Sequence, residues 1–211
     1  VSSHALAQHR ADAVRFDVAV FTNLTQDHLD FHGTMENYFE AKARLFTRVL
    51  GDEGVAVVNT DGANGPRMAE AAEEAGHEVL RVGRLDGCQI RLLGLRFEPT
   101  GQELRFAWNG AVHQVRLGLI GGFQAENVMV AAGLAIGAGA DPDDVFTTLP
   151  RLSGVRGRMQ LAATRENGAA VFVDYAHTPD ALATALQALR PHVMGRIVCV
   201  FGAGEIGRAH V

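Results

Sequence analysis

The sequence predicts an α/β fold: a mostly parallel sheet flanked by helices, with a small antiparallel patch and the opening of a second α/β unit. Three observations predict it. Short β-rich apolar runs alternate with helical patterns through the first part of the chain. Strand-like alternation with turn signals at Pro99–Gly101 and Asn109–Gly110 marks residues 89–115. A strand, loop, helix and strand pattern then follows a stretch broken by Gly154 and Gly157.

Taken in order, residues 14–24 (VRFDVAVFTNL) read as a strand running into a polar loop. Residues 34–50 carry apolar side chains at Tyr38, Leu45, Phe46 and Val49, with Thr34 placed as N-cap, which is the pattern of a helix with one buried face. Residues 54–61 form a buried strand, followed by an Ala/Glu-rich helix over 66–75. Two hairpins are expected within 89–115. Helices follow over 125–137 and 142–149, the second with Asp141 as N-cap and Pro142 at its first position. A boundary is expected in LSGVRGRMQ, and the segment from Ala169 to Gly204 supplies the second unit.

Bulk properties narrow the function classes. Hydrophobic residues are 47% and charged residues 20% of 211, so the chain is able to bury a core. A net charge of −5 argues against a nucleic-acid partner. Cys88 and Cys199 form no CxxC or Cys/His metal pattern and are expected as buried thiols of a reducing cytosol, hence a cytoplasmic protein. The most apolar stretch, 117–140, is interrupted by Gln124, Glu126 and Asn127, so no membrane span is expected. The chain begins without an initiator Met, and its natural start is expected upstream.

The segment 21–46 is the richest in chemistry. A buried strand ends in a loop with Asn23, Asp27, His28, Asp30 and His32, and a helix bearing Lys42 follows. Ligands bind at the carboxyl ends of strands in open α/β sheets, and oxygen and imidazole groups there suit Mg²⁺. From the residues alone, a solvated loop and a surface lysine are the favoured account of the segment. Likewise Ser2 and Ser3 serve as helix N-caps on the plain reading, with Gln8 and Arg10 exposed.

VSSHALAQHR followed by FDVAVFTNLTQDHLDFHGTMENYFEAKARLF resembles the central domain of the MurE-type Mur ligases, and GGFQAENVMVAA, GVRGRMQ, VDYAHTPDAL and RIVCVFGAG follow in the family's order. The resemblance spans about residues 1–204. It implies a Mur ligase central domain over 1–155 without its phosphate-loop part, and the truncated start of a Rossmann-like C-terminal domain over 156–204. The activity implied is ATP-dependent addition of the third amino acid, meso-diaminopimelate or L-lysine, to UDP-MurNAc-L-Ala-D-Glu through an acyl phosphate.

Carried over by position, the resemblance makes Ser2, Gln8 and Arg10 contacts to the UDP-MurNAc-dipeptide. It makes His28 a Mg²⁺ ligand and Lys42 a carbamylated lysine whose carbamate also meets the metal. Asn127 is implied as an adenine contact, Arg158 and Asp174 as further ATP contacts, and His177 as a catalytic residue near the phosphates. The implied partners are the UDP-MurNAc-dipeptide and an amino acid, and a monomer is expected.

No GxxxxGK[ST] loop occurs in the chain, so the phosphate loop is expected before Val1 and the polypeptide alone is expected not to turn over. Gly202, Gly204 and Gly207 fit a GxGxxG pattern, but residues 205–211 (EIGRAHV) read as a translated sequencing adapter rather than native sequence. Two alternatives remain: a folylpolyglutamate or cyanophycin synthetase-like ligase, against which SSHALAQHR speaks, and a non-catalytic nucleotide-binding module.

Overall fold

The structure is a computed structural model that describes residues 1–24 and 28–202. The proposed loop residue Asp27, the glycine pattern beyond Gly202 and the adapter-like tail lie outside the described residues.

Six strands form one sheet in the order β1 to β6. β1 (Phe16–Phe21), β2 (Leu50–Asn59), β3 (Glu78–Gly83) and β4 (Ile90–Glu98) are parallel neighbours. β5 (Gly101–Trp108) continues the sheet antiparallel to β4, and β6 (Ala111–Leu117) runs antiparallel to β5. The two expected hairpins are therefore one meander sharing β5, fused to the parallel part. β3 and β4 pair only through Val82–Ile90 and Gly83–Arg91, so the meander extends past the carboxyl end of β3.

The strands read as continuous apolar runs because both sheet faces are covered. In β2, Ala56 and Val58 pack with Phe39, Phe46 and Met68 of the layer formed by α3 (Met35–Arg44), the turn that follows it and α4 (Gly65–Glu74). Val57, between them, packs against the opposite layer of α5 (Gly122–Gly137) and α6 (Pro142–Thr148). All three strand residues are 0% exposed. The outer part of the meander is covered on one face only, and there Arg96, Glu98, Glu103, Gln114 and Arg116 pair across the strands on the solvent side.

Local signals explain the helix ends. Thr34 Oγ1 accepts the Asn37 N–H at 3.1 Å at the start of α3. Asp141 Oδ1 accepts the N–H of Asp143 at 2.9 Å and of Asp144 at 3.2 Å at the start of α6. α3 ends earlier than its apolar pattern suggests, because residues Leu45–Val49 widen into a π-helical turn that aims Phe46 and Val49 inward before β2. A short α1 (Ser3–Ala7) packs Leu6 against Val49, and the Arg44 guanidinium closes its end by donating to the Leu6 and Ala7 carbonyls.

The second unit holds a two-stranded antiparallel sheet, β7 (Gln160–Thr164) and β8 (Ala170–Val173), then α7 (Pro179–Leu189) capped by Thr178. The expected last strand corrects to irregular chain: among the described residues, 196–200 pair with no strand, and Val198 and Val200 stand exposed. An apolar run becomes a strand only when its backbone pairs with a neighbouring edge, and this run does not pair with the open edge of β7 or β8. Cys199 is exposed for the same reason, which corrects the expected pair of buried thiols, while Cys88 is half-buried with its Sγ 3.3 Å from Thr60 Oγ1. No helix among the described residues is long and apolar enough to cross a membrane.

Candidate functional site

α5 runs antiparallel to the parallel strands. Its late residue Gly137 faces Val18 and Val55 near the strand starts, whereas Gly133 faces Val57, Leu80 and Val82. The start of α5, with Gln124 in its first turn and Asn127 in its second, is thereby set beside the carboxyl edge of the sheet. The chain crosses the same edge at Asn23 after β1, Asp61 after β2 and Arg84 after β3. Asp61 Oδ1 accepts the Arg84 N–H at 2.6 Å, and Arg84 Nη2 reaches Glu126 Oε1 at 3.1 Å, so the loops are tied to α5.

One cluster gathers around Tyr38. The short helix α2 (Leu29–His32) begins at His28, which holds a left-handed backbone with φ of 52°. The His28 ring meets His4 at 4.8 Å and Tyr38 at 6.1 Å between centroids, both edge-on. His32 stacks on Tyr38 at 5.0 Å, and its Nε2 lies 3.0 Å from Ser3 Oγ; Ser3 and His32 are both buried. Burial, and after it the neighbouring His4 and His28 rings, hold the His32 pKa below the ordinary imidazole range. Lys42 sits one helical turn after Tyr38, with Nζ 5.2 Å from the ring centroid.

The proposed substrate residues divide. Ser2 caps α1, its Oγ accepting the Ala5 N–H at 3.2 Å, and it adjoins the Ser3–His32 contact. Gln8 and Arg10 are exposed at the other end of α1, so the structure does not bring them onto the Tyr38 cluster.

A second cluster lies where the two units meet. A cleft of about 300 Å³ is lined by Thr100, Ile120, Gln124, Gly154, Arg158 and Met159, among others. Asn127 Nδ2 donates to Gln124 Oε1 at 3.4 Å, which puts Asn127 one contact from the cleft wall. Asp174 is joined to the same wall, for its Oδ2 accepts the Met159 N–H at 2.8 Å while Oδ1 accepts Ala176 N–H at 2.8 Å. The Arg158 guanidinium lies 5.6 Å over the Tyr175 ring, whose other neighbour is His177 at 5.1 Å. The Arg158 segment is thus brought beside the loop that carries Asp174 and His177.

Sequence reasoning passed over three contributors: His4, Gln124 and Tyr175. Tyr38 entered it only as an apolar helix residue, although its spacing of four from Lys42 already places both on one helix face. Among the described residues no group of three His, Cys, Asp or Glu side chains is arranged to hold a metal ion.

An open α/β sheet with polar clusters beside the carboxyl ends of its strands, joined to a second unit, defines the class of fold, one in which ligands generally bind at that edge. Comparison with known proteins narrows the class. Residues 1–135 match the family described as Mur ligase middle domain, and residues 157–209 match Mur ligase, glutamate ligase domain. The chain belongs to the Mur ligase family.

Among curated relatives, the UDP-N-acetylmuramoyl-L-alanyl-D-glutamate--2,6-diaminopimelate ligase of Caulobacter vibrioides is 48% identical over 203 residues, which cover 96% of this chain and 42% of the relative. The protein of the same name from Bradyrhizobium diazoefficiens is 47% identical over 206 residues, with coverage of 96% and 42%. The chain therefore spans 42% of the length of either relative. A solved structure of a ligase of this name superposes with a TM-score of 0.78 at 36% identity, covering 92% of this chain and 39% of the other. A folylpolyglutamate synthase of Mycobacterium tuberculosis, complexed with ADP and AMPPCP, gives a TM-score of 0.64 at 26% identity, over 85% of this chain and 40% of the other.

Proposed function

We propose that the chain forms the central part, and the opening of the C-terminal part, of an ATP-dependent ligase that adds 2,6-diaminopimelate to UDP-MurNAc-L-Ala-D-Glu. The observation that carries the reading is the pair of clusters beside one sheet edge. The cleft bordered by Gln124 and Arg158, with Asp174 and His177 close by, suits a nucleotide; the Tyr38 cluster adjoining Ser2 suits the group that ATP activates. The names of the relatives support the substrate.

The reaction has two steps. A peptide carboxylate oxygen attacks the γ-phosphorus of ATP, and ADP leaves with the electrons of the broken P–O bond. The amine of the incoming amino acid then attacks the acyl phosphate carbonyl, phosphate departs, and the nitrogen loses a proton. Positioning and charge stabilisation supply most of such catalysis.

In this reading Asn127 contacts the adenine, Asp174 accepts from ribose hydroxyls, and Arg158 and His177 face the phosphates. Ser2, Gln8 and Arg10 hold the UDP-MurNAc-dipeptide, the guanidinium of Arg10 being suited to a phosphate or carboxylate. The Lys42 amine adds to CO₂, forming an N–C bond and releasing one proton, and the product is a carbamate. The amine stands near the Tyr38 ring, its Nζ 5.2 Å from the ring centroid. His28 and the carbamate would hold Mg²⁺, which neutralises phosphate charge. Magnesium is commonly held by one or two protein groups together with phosphate oxygens and water, so the site requires no three-residue cage.

Equilibrium titration tests the reading. The chain binds ADP and UDP-MurNAc-dipeptide at separate sites, and Arg158→Ala weakens ADP about tenfold or more through loss of a charged hydrogen bond, leaving the dipeptide unaffected. A chain that binds a folate instead of UDP-MurNAc-dipeptide belongs with the folylpolyglutamate synthetases.

A further inference from the structure

The 3-10 turn Arg190–His192, which follows α7, packs against the meander and buries an imidazole there. His192 is 4% exposed, and both ring nitrogens are bonded to backbone of the first unit. Its Nδ1 lies 2.7 Å from the Glu98 carbonyl oxygen, and its Nε2 lies 2.9 Å from the Gly121 nitrogen. A carbonyl takes a donor and an N–H takes an acceptor, so the neutral ring with hydrogen on Nδ1 alone satisfies both. The contacts span 94 and 71 residues of sequence, and Phe97 packs edge-on against the ring at 4.9 Å.

Gly121 is the N-cap of α5, with φ of 96°. A side chain there would be strained, and its Cβ would lie 3.2 Å from Ala188 Cβ on α7 and 2.6 Å from the Phe123 ring. The Gly121 carbonyl accepts from Gln102 Nε2 at 2.8 Å, and Gln102 is 0% exposed. The residue that opens α5 is thus gripped at its N–H by the second unit and at its C=O by the meander. Gln124, on the cleft wall, follows within one turn.

We propose that His192 is a positioning residue: from the second unit it fixes the Gly121 N–H, and with it the turn of α5 that faces the nucleotide cleft. The link to the nucleotide rests on the ATP reading above. Without an acceptor at Nε2, the Gly121 N–H is buried and unpaired, and the start of α5 opens more often.

The test is amide hydrogen exchange, read by NMR on the full chain, with His192→Ala, His192→Asn and His192→Gln. Glutamine ends near the Nε2 position and restores an acceptor, whereas asparagine ends near Nδ1 and does not. Gly121 exchange should rise about tenfold or more in the Ala and Asn variants and return toward wild type in the Gln variant. Exchange at Val57 and Val58 in β2 should stay unchanged. Unaltered Gly121 exchange in the Ala and Asn variants overturns the proposal, as does an equal rise throughout β2, which marks a general loosening.

ADP titration of the same samples separates the two layers. Weaker ADP binding in the Ala and Asn variants, recovered with Gln, supports the role at the nucleotide. Faster Gly121 exchange with unchanged ADP affinity overturns that role and leaves His192 only as a link between the units. Failure of wild type to bind ADP overturns the nucleotide role together with the ATP reading, and the exchange data alone then decide the link.

Discussion

Replacing Gly133 by alanine sets two opposing effects against each other at the centre of the α5–sheet interface. Alanine favours a helix over glycine by about 1 kcal/mol. A Cβ at this position would lie 2.9 Å from Val57 Cγ1, 3.2 Å from Leu80 Cδ2 and 3.5 Å from Val82 Cγ2. Val57 is 0% exposed and β-branched, so its methyl group has no free rotamer to retreat into. Overpacking of this kind costs about 1–3 kcal/mol, and it outweighs the gain in propensity. Gly133→Ala should lose about 1 kcal/mol in urea unfolding, seen as a lower midpoint at constant slope. Gly133→Val should lose more, because it adds two methyl groups and a β-branched helix residue. Both variants lift α5 from the sheet and should weaken ADP binding in step. A Gly133→Ala chain more stable than wild type by about 1 kcal/mol, the propensity value alone, would refute the close approach.

Asp141→Ala should cost about 1 kcal/mol by leaving the Asp143 and Asp144 N–H groups without their acceptor, and Asp141→Asn should cost little; equal losses would contradict a capping role. The pKa of His32 is held low by burial and by its His4 and His28 neighbours, so on acidification the unfolded chain takes up this proton before the folded one does. The associated stability is complete above about pH 6.5 and falls as pH drops toward the folded pKa; His32→Gln should flatten that acid limb, and an unchanged slope sinks the assignment. Lys42 is the sole lysine of the chain, so ¹³C-bicarbonate NMR should show one side-chain carbamate signal that Lys42→Arg abolishes. A signal that survives Lys42→Arg contradicts the site.

What was legible in the sequence was mostly local. Thr34 and Asp141 announce their helices because a cap and the N–H groups it satisfies lie within three residues of one another. The apolar runs of β1 and β2 stand out because strands buried on both faces lack a polar alternation. β3 was not singled out: its six residues include Glu78 and Arg81, and it becomes a strand by pairing with β2. The π-helical turn at Leu45–Val49 has no composition of its own. The strand expected from RIVCVFGAG failed for the converse reason, since the backbone of residues 196–200 pairs with no strand among the described residues.

The candidate site shows the same division. The resemblance supplied His28, Lys42, Asn127, Arg158, Asp174 and His177 as positions along the chain. It gave no hint that Tyr175 lies between Arg158 and His177, or that His32 joins Ser3 to the Tyr38 ring. The His192 contacts span 94 and 71 residues of sequence, a separation at which no local pattern carries information.

The measurement that bears hardest on the proposed nucleotide site is an amide chemical-shift titration of the full chain with ADP. Perturbations should fall on Gly121, Gln124 and Asn127 at the start of α5 and on Arg158, Asp174 and His177 across the cleft. Shifts confined to the opposite edge of the sheet, around Glu78, Trp108 and Gly137, or no saturable shifts at all, would contradict it.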